Sequence, residues 1–403
     1  MTRAQDAAAR SLPVVIVGGG VGGVCTALAL GRQGRRVMLL EQADQIGAIG
    51  YGVQIGPNVL PMLERLGVGQ SVLEKGYQPT EIRWCDIASG ASLAEIPLHT
   101  PEFARRYGGS RYIAIHRVDL HQLLLAACEA LPNVELNQAT AVQGYRQDGE
   151  RLVVLSADGR EIEAAAVIAS DGLRSRIRAQ MQPGDLPRDT GYVAHRTIVP
   201  MDQAPALARQ RTGVTMWSGP GFHVIYYPLR GRTELNIVMV VRVPPGIDCE
   251  SAAYRDHIAA IEAGAQAEPR ELIERVSLER RWSIADRDPI RRWTDGRVTL
   301  LGDAAHATLQ SLAQGAGMAI EDAVVLASIL DEAGDDYAGA FERLQRARFL
   351  RTARVQLESR ALWDVFHCDG LDAELRAMQW GERTPHDFYR CLDWLWTPLH
   401  PGA

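Results

Sequence analysis

The sequence has few cysteines, and they do not occur in pairs. None of them forms a Cys-x-x-Cys motif, which is the spacing typical of structural zinc sites and redox dithiols. Scattered thiols of this kind indicate reduced side chains, so we expect a cytoplasmic protein without a bound metal. The six cysteines are Cys25, Cys85, Cys128, Cys249, Cys368 and Cys391.

Uninterrupted apolar runs and an excess of one charge are also missing. The apolar stretch 12–30 contains five glycines, which fits a strand, a turn and a helix better than a membrane span. The 43 Lys and Arg against 49 Asp and Glu give a formal net charge of −6, so no basic surface for nucleic acid is indicated. We therefore expect neither a membrane span nor a nucleic-acid partner.

What is present is a glycine-rich turn close to the start of the chain. It lies between the β-branched run 14–17 and a helical pattern, and the next apolar run is 37–40. The order strand, turn, helix, strand is typical of the unit that binds dinucleotides. Gly18 permits the tight turn, Gly20 lets the backbone approach a pyrophosphate, and Gly23 allows close packing of helix on strand.

An acidic residue, Glu41, closes the second strand of this unit. A carboxylate at that position can accept hydrogen bonds from the hydroxyls of an adenosine ribose. It disfavours the phosphorylated ribose of NADP. FAD and NAD both remain open on this motif.

A second strand and glycine turn follow 284 positions after the first, measured from Gly18 to Gly302. The carboxylate of Asp303 is placed to hydrogen-bond the ribityl hydroxyls of a flavin, with a helix-capping role as the alternative. Gly315 and Ala316 then begin a helix with little side-chain bulk, so its backbone N–H groups can approach the flavin C2 carbonyl. One dinucleotide held from both ends indicates FAD.

The pattern changes between residues 190 and 243. Short strands separated by Gly, Pro or Arg-Gly-Arg-Thr turns indicate an antiparallel sheet in a separate substrate domain. We predict an α/β fold with a discontinuous Rossmann-like FAD-binding domain, this inserted sheet domain and a C-terminal helical segment. The predicted ranges are 1–76, 101–180 and 276–336 for the FAD-binding domain, 77–100 and 181–275 for the substrate-binding domain, and 337–403 for the helical region.

Three motifs in order resemble the fingerprints of the single-component flavoprotein aromatic hydroxylases. They are the first glycine turn with Glu41, the Asp171-Gly172 pair with Arg174, and the Gly302-Asp303 turn. The resemblance covers nearly the whole chain. It implies FAD as the cofactor and NADH or NADPH as a transient co-substrate, since no second G-x-G-x-x-G loop occurs. A homodimer is the family-based expectation.

The resemblance also implies roles for two further residues. Asp171 would serve both FAD and transient nicotinamide binding. Arg117, in the segment His116-Arg117-Val118-Asp119-Leu120, would contact the flavin, with a surface arginine at a helix start as the alternative. In this family a flavin C4a-hydroperoxide attacks an electron-rich ring, so the protein has to exclude water and activate the substrate.

A strand between the two glycine turns contains a candidate base. Alternation over 222–229 puts His223 and Tyr227 on one face, about 13 Å apart, with room for a small aromatic acid between their side chains. A histidine can take a phenol proton near neutral pH. A core histidine bonded to backbone is the alternative that this strand alone would favour.

Within the family, this strand and Gln310 resemble the members that hydroxylate 3-hydroxybenzoate. By that resemblance His223 accepts the phenol proton, Gln310 hydrogen-bonds the same oxygen and Tyr227 seats the ring or its carboxylate. The expected product is 2,5-dihydroxybenzoate (gentisate), formed with NAD(P)H and O2. Decarboxylating hydroxylation of 6-hydroxynicotinate or salicylate, and a flavin reductase or dehydrogenase that uses no oxygen, are the alternatives.

Overall fold

The computed structural model describes residues 12–47 and 50–399. The predicted domain ranges also include residues 1–11, 48–49 and 400–403, which lie outside the described residues. The strands, numbered in chain order, are β1 Val14–Val17, β2 Val37–Leu40, β3 Gly52–Ile55, β4 Glu81–Asp86, β5 Ser92–Pro97, β6 Ile113–His116, β7 Val134–Asn137, β8 Val142–Asp148, β9 Arg151–Ser156, β10 Glu161–Glu163, β11 Ala166–Ala169, β12 Arg188–Pro200, β13 Val214–Gly219, β14 Phe222–Leu229, β15 Glu234–Arg242, β16 Trp282–Asp286, β17 Thr294–Asp295 and β18 Val298–Leu300.

Helices alternate with strands in the first part of the chain and dominate the last. The α-helices, numbered in the same way, are α1 Val21–Arg32, α2 Leu60–Arg65, α3 Gly69–Lys75, α4 Pro101–Arg106, α5 Arg117–Glu129, α6 Arg176–Met181, α7 Ala206–Gln210, α8 Ala252–Gly264, α9 Ala267–Glu274, α10 Asp303–His306, α11 Gly315–Ala333, α12 Tyr337–His367, α13 Gly370–Gly381 and α14 Pro385–Trp396.

A six-stranded sheet in the order β17-β18-β11-β1-β2-β7 forms the centre of the dinucleotide fold. Its central strands run parallel, and β1 is buried along its whole length, which explains its continuous Val-Val-Ile-Val sequence. β18 belongs to this sheet although it lies far from β1 in sequence. The predicted discontinuous Rossmann-like unit is confirmed.

A seven-stranded sheet in the order β16-β12-β15-β14-β13-β4-β5 forms the second layer. Most neighbours are antiparallel, as predicted, but β13 and β4 run parallel. β16 pairs with β12 here. Residues 282–286, which lie in the range 276–336 predicted for the FAD-binding domain, thus pair with a strand of the substrate segment. The domain boundaries stay predictions.

The C-terminal segment is helical, as predicted. α12 is 31 residues long and packs against α11 and against strands of both large sheets. Its length reflects an amphipathic pattern without internal proline or glycine beyond its first turn. Within residues 12–47 and 50–399, none of the helices has the length and apolar character that a membrane crossing requires.

Candidate active site

One cavity of about 760 Å³ is lined by strand residues of the seven-stranded sheet and by loops that follow strands of the six-stranded sheet. Its wall includes the first glycine loop, the Gly302-Asp303 turn, the start of α11 and one face of β14. The two glycine turns, which are 284 positions apart in sequence, therefore meet at one site.

The first glycine loop has the backbone geometry of a phosphate site. Gly18 has a φ of +101°, and a Cβ there would clash with the carbonyl oxygen of Ser170. A Cβ on Gly23 would clash with the carbonyl oxygen of Gly18. Gly20, by contrast, has no atom within 4 Å of a Cβ position and precedes the first turn of α1. Free N–H groups of that turn thus face open space.

Two side chains hold this loop in place. The carboxylate of Glu41 accepts hydrogen bonds from the backbone N–H groups of Gly19 at 2.7 Å and Ala43 at 2.9 Å. The buried ring of His121, on α5, contacts the Gly19 carbonyl oxygen at 2.7 Å. Each carboxylate oxygen has a second lone pair, so Glu41 keeps acceptor capacity for ribose hydroxyls.

Arg117 and Asp171 lie differently with respect to the cavity. Arg117 begins α5, its backbone N–H donates to the Tyr51 carbonyl at 2.9 Å, and the residue is part of the cavity wall. Asp171 follows β11, and its Oδ2 accepts from the backbone N–H of Arg176 at 2.9 Å. The cavity wall contains its neighbours Ser170 and Gly172 but not Asp171 itself. Burial raises the pKa of Asp171.

The return turn presents Asp303 to the cavity from the first position of α10. The Asp303 side chain is exposed, and its Oδ1 lies 3.9 Å from where a Cβ of Gly315 would stand. Gly315 and Ala316, the first residues of α11, line the same wall. The turn, the carboxylate and a helix N-terminus therefore face one space.

A buried ionic network supports this turn from behind. Asp322, on α11, accepts from the Gly302 backbone N–H at 3.1 Å, from His306 at 2.5 Å and from Arg348 of α12 at 2.7 Å. Burial alone would raise the pKa of Asp322, but the charges of His306 and Arg348 bring it down to about 2. The carboxylate is thus ionised and holds the turn.

The described residues fit FAD at both ends of the cavity. The positions where a Cβ would clash, Gly18 and Gly23, are tight backbone contacts, whereas Gly20, Gly172 and Gly315 leave room on the open side. Asp303 is in the cavity wall, whereas Glu41 is not and holds the first glycine loop from beside it. Two helix N-termini supply positive partial charge.

The substrate face of β14 is arranged as the alternation predicts. His223, Ile225 and Tyr227 line the cavity, whereas Phe222, Val224 and Tyr226 belong to the core on the other side of the sheet. On that side Tyr226 hydrogen-bonds Glu268. The strand therefore separates a reaction face from a packing face.

His223 is 3% exposed, and its Nδ1 lies 2.8 Å from Nε2 of His367. Burial, with the adjacent His367 ring as a second cause, holds the pKa of His223 well below its usual value. The ring is therefore neutral at pH 7. Because His367 engages Nδ1, Nε2 is the nitrogen left for a ligand.

Tyr227 is also 3% exposed, and burial raises its pKa to about 12, so its hydroxyl stays protonated. A Cβ on Gly52 would lie 2.5 Å from the Tyr227 ring, which explains the glycine at that position of β3. Gln54, the residue two positions further on, accepts a hydrogen bond from Tyr112 at 2.7 Å. Tyr227 and Tyr112 therefore give this part of the cavity wall aromatic rings and hydroxyl groups.

Gln310 lies in the 3-10 turn Gln310–Leu312, and its Oε1 accepts from Nη2 of Arg196 at 3.0 Å. This bond leaves the amide N–H2 of Gln310 as a donor. Arg196 is on β12, lines the cavity and has a buried Nε with no partner. Burial lowers the pKa of Arg196, and no ion pair with a carboxylate occurs for it among the described residues. The cavity therefore contains a cation that lacks an anion.

Sequence reasoning missed Arg196, His367 and the Asp322 network. Arg196 directly follows the buried residues Val193 to His195 of β12, which was a usable signal because a charged residue beside a buried stretch of strand needs a partner. Neither His367 nor Asp322 has a comparable signal, since each is a polar residue on a long helix. The described residues contain no group of three or more His, Cys, Asp or Glu suited to a metal ion.

Comparison with known proteins defines the class. The family described as "FAD binding domain" matches residues 11–356, so the chain belongs to that family of flavoproteins. It is 38% identical to the 3-hydroxybenzoate 6-hydroxylase of Polaromonas naphthalenivorans over 387 residues, which cover 96% of each chain. The enzyme of the same name from Klebsiella oxytoca is 37% identical over 392 residues, 96% of this chain and 97% of its own.

Among solved structures, Klebsiella pneumoniae HpxO complexed with FAD and uric acid has a TM-score of 0.85 and 25% identity, and covers 96% of this chain and 98% of its own. The expected FAD cofactor and family are thus confirmed. The protein is an FAD-dependent aromatic-ring monooxygenase.

Proposed function

We propose that this monooxygenase hydroxylates 3-hydroxybenzoate at C6, para to its hydroxyl group, and releases 2,5-dihydroxybenzoate. One NADH or NADPH, one proton and one O2 are consumed; one oxygen atom enters the ring and the other leaves as water. The observation that carries the proposal is the meeting of His223, Tyr227 and Gln310 in one cavity wall beside Arg196. FAD, when bound, supplies the reduction of O2 and an electrophilic oxygen atom.

His223 removes the proton of the substrate hydroxyl. Its Nδ1 is occupied by His367 and its pKa is lowered by burial, so a neutral ring offers Nε2 to the cavity. Deprotonation at O3 increases electron density at the para carbon, C6. The regiochemistry of the proposed reaction thus follows from the position of the phenolate.

Gln310 donates a hydrogen bond to the same phenolate oxygen. Because its Oε1 accepts from Arg196, its amide group is turned with the N–H2 side away from that arginine. A fixed donor at the developing negative charge lowers the free energy of the phenolate relative to the phenol.

Arg196 supports an anionic substrate. Its guanidinium is always protonated in proteins, and its buried Nε has no partner. A buried cation without an anion is costly, and a benzoate ligand brings the missing charge. The ring and hydroxyl of Tyr227 form the neighbouring wall and orient the aromatic ring.

Water is excluded by the C-terminal helices. Phe366 of α12 and Leu392 and Trp396 of α14 line the cavity with apolar side chains. An apolar cover of this kind strengthens the polar interactions inside and protects reactive oxygen species from water.

Incubation of the purified protein with NADH and a panel of substrates tests this proposal. The panel contains 3-hydroxybenzoate, salicylate and 6-hydroxynicotinate, and products are identified by mass. We expect 2,5-dihydroxybenzoate from the first compound with retention of its carboxylate. Release of CO2 from either of the others as the main reaction would assign a decarboxylating hydroxylase, and NADH oxidation without O2 uptake would assign a reductase.

We also propose that the protein is a homodimer formed through its C-terminal helices. Several large apolar side chains of α12 and α13 are exposed there: Leu350, Leu357, Leu371, Leu375 and Met378. Large apolar side chains that are exposed in one chain can be covered in a subunit contact. Light scattering on the holoenzyme should give twice the 44.2 kDa chain mass; a monomer at micromolar concentration would contradict this.

A further inference from the structure

The Nδ1 nitrogen of the proposed base, His223, is in hydrogen-bond contact with another buried histidine. His367 is the last residue of α12 and is 8% exposed, and its Nε2 lies 2.8 Å from Nδ1 of His223. The rings are stacked with centroids 5.0 Å apart. Nothing in the flavin site requires a histidine at this position.

The position of the proton in this contact decides whether Nε2 of His223 can act as a base. A neutral imidazole has one N–H donor and one acceptor nitrogen. Two nitrogens 2.8 Å apart share one proton. If His367 donates it, His223 has its own proton on Nε2 and cannot accept another at the cavity. If His223 donates it, the lone pair of Nε2 faces the substrate.

The proposed role of His223 as the base requires the second arrangement, in which His367 is the acceptor. Burial chiefly, and Arg376 in addition, lower the pKa of His367 to about 4, while the Trp363 carbonyl one helical turn earlier acts in the opposite sense. The ring is thus neutral at pH 7. Its Nδ1 is buried and makes no hydrogen bond, so the hydrogen-bonded nitrogen of His367 is Nε2, which faces His223. A proton at Nδ1 leaves Nε2 of His367 as an acceptor.

The other groups around the pair do not compete for this proton. Tyr192 of β12 contacts the His367 ring at a centroid distance of 4.7 Å, and Trp363 and Phe366 of α12 contact the His223 ring. Arg376 of α13 is the charged neighbour. No carboxylate is hydrogen-bonded to either histidine within the described part of the chain.

We propose that His367 is a positioning residue that accepts the Nδ1 proton of His223 and thereby presents Nε2 of His223 as the base. The inference rests on the proposed function of His223. It gives the C-terminal helical segment a part in proton transfer in addition to covering the cavity. When His223 takes the substrate proton, the same acceptor stabilises the resulting imidazolium.

Nitrogen NMR of the histidine-labelled holoenzyme tests the tautomer directly. The His223 signals are assigned by their loss in His223→Ala. At neutral pH we expect a protonated Nδ1 and an unprotonated Nε2 for His223. The opposite tautomer overturns the inference. Because this measurement needs no turnover, its result is independent of which substrate is hydroxylated.

Kinetics of two variants separate positioning from packing. His367→Phe removes the acceptor but keeps a ring, whereas the amide oxygen of His367→Gln can still accept from His223. We expect kcat to fall about 10- to 100-fold in His367→Phe, with KM little changed, and to recover in His367→Gln. A ring-fluorinated 3-hydroxybenzoate, whose phenol ionises more easily, should restore most of the lost rate in His367→Phe.

His195→Gln is the matched control. His195 is a buried histidine of β12 that bonds the Tyr254 hydroxyl at 2.9 Å and does not line the cavity. We expect its kcat to match that of the wild type. Equal losses in both His367 variants without rescue by the fluorinated substrate show a structural role and overturn the inference. A wild-type enzyme that hydroxylates no hydroxybenzoate overturns the proposed function instead.

Discussion

Replacement of His223 by alanine should slow hydroxylation, because the substrate hydroxyl must then ionise without a base. A phenol has a pKa of about 10, so about 0.3% of it is ionised at pH 7.5 without help from the protein. If only the phenolate reacts, loss of the base should slow hydroxylation roughly 300-fold at that pH, within the range of about 10² to 10⁴ that general bases contribute. This corresponds to about 3.4 kcal/mol of transition-state free energy.

The pH dependence gives a second, sharper signature. In the variant, the rate should rise about tenfold per pH unit from pH 7 to 9, because the substrate ionises by itself. The wild type should be nearly independent of pH over this range, since burial keeps the pKa of His223 low and its ring neutral. The assay is product formation by chromatography at saturating NADH and substrate, beside O2 uptake.

Flavin content and folding have to be controlled in this experiment. The variant leaves His367 Nε2 without its partner at 2.8 Å, which costs about 1–3 kcal/mol of stability. We expect bound FAD to be retained, because His223 does not belong to the glycine turns, and NADH oxidation to continue with hydrogen peroxide as the product. Wild-type rates, or a loss that does not vary with pH, would refute the assignment of His223 as the base.

Three further variants test other parts of the site. Asp303→Ala should remove bound flavin, since this carboxylate faces the cavity from the return turn; a variant with full visible absorbance would contradict the ribityl role. Arg196→Gln should raise KM for 3-hydroxybenzoate about 10- to 100-fold but change KM for an uncharged phenol little; equal effects on both would argue against an anion site. Gly23→Ala places a Cβ against the Gly18 carbonyl and should destabilise the fold by about 1–3 kcal/mol and weaken FAD binding; an unchanged melting temperature would exclude that contact.

Local patterns in the sequence predicted much of this site. The glycine turns require particular backbone geometry, so residue type alone marks them, and the structure brings them together as the motifs imply. Alternation on β14 separated His223 and Tyr227 from Tyr226 because a strand has a period of two. These features depend only on neighbours in the chain.

The parts that escaped prediction depend on contacts between distant segments. The His223–His367 contact spans 144 positions, and the Arg196–Gln310 bond spans 114. Nothing in the local sequence of a helix end or a strand identifies such a partner. The same limit applies to β16, whose pairing with β12 no pattern at residues 282–286 reveals. The role of Asp171 stays a prediction, since its Oδ2 caps backbone groups at the start of α6.

Turnover under oxygen-18 gas tests the proposed monooxygenase reaction in a single experiment. Purified flavoprotein is incubated with NADH and 3-hydroxybenzoate, and the product is analysed by mass spectrometry together with NADH and O2 consumption. We expect 2,5-dihydroxybenzoate with one labelled oxygen atom and equal amounts of NADH and O2 consumed. An unlabelled product, a decarboxylated product, or NADH oxidation that yields only hydrogen peroxide would contradict the proposed reaction.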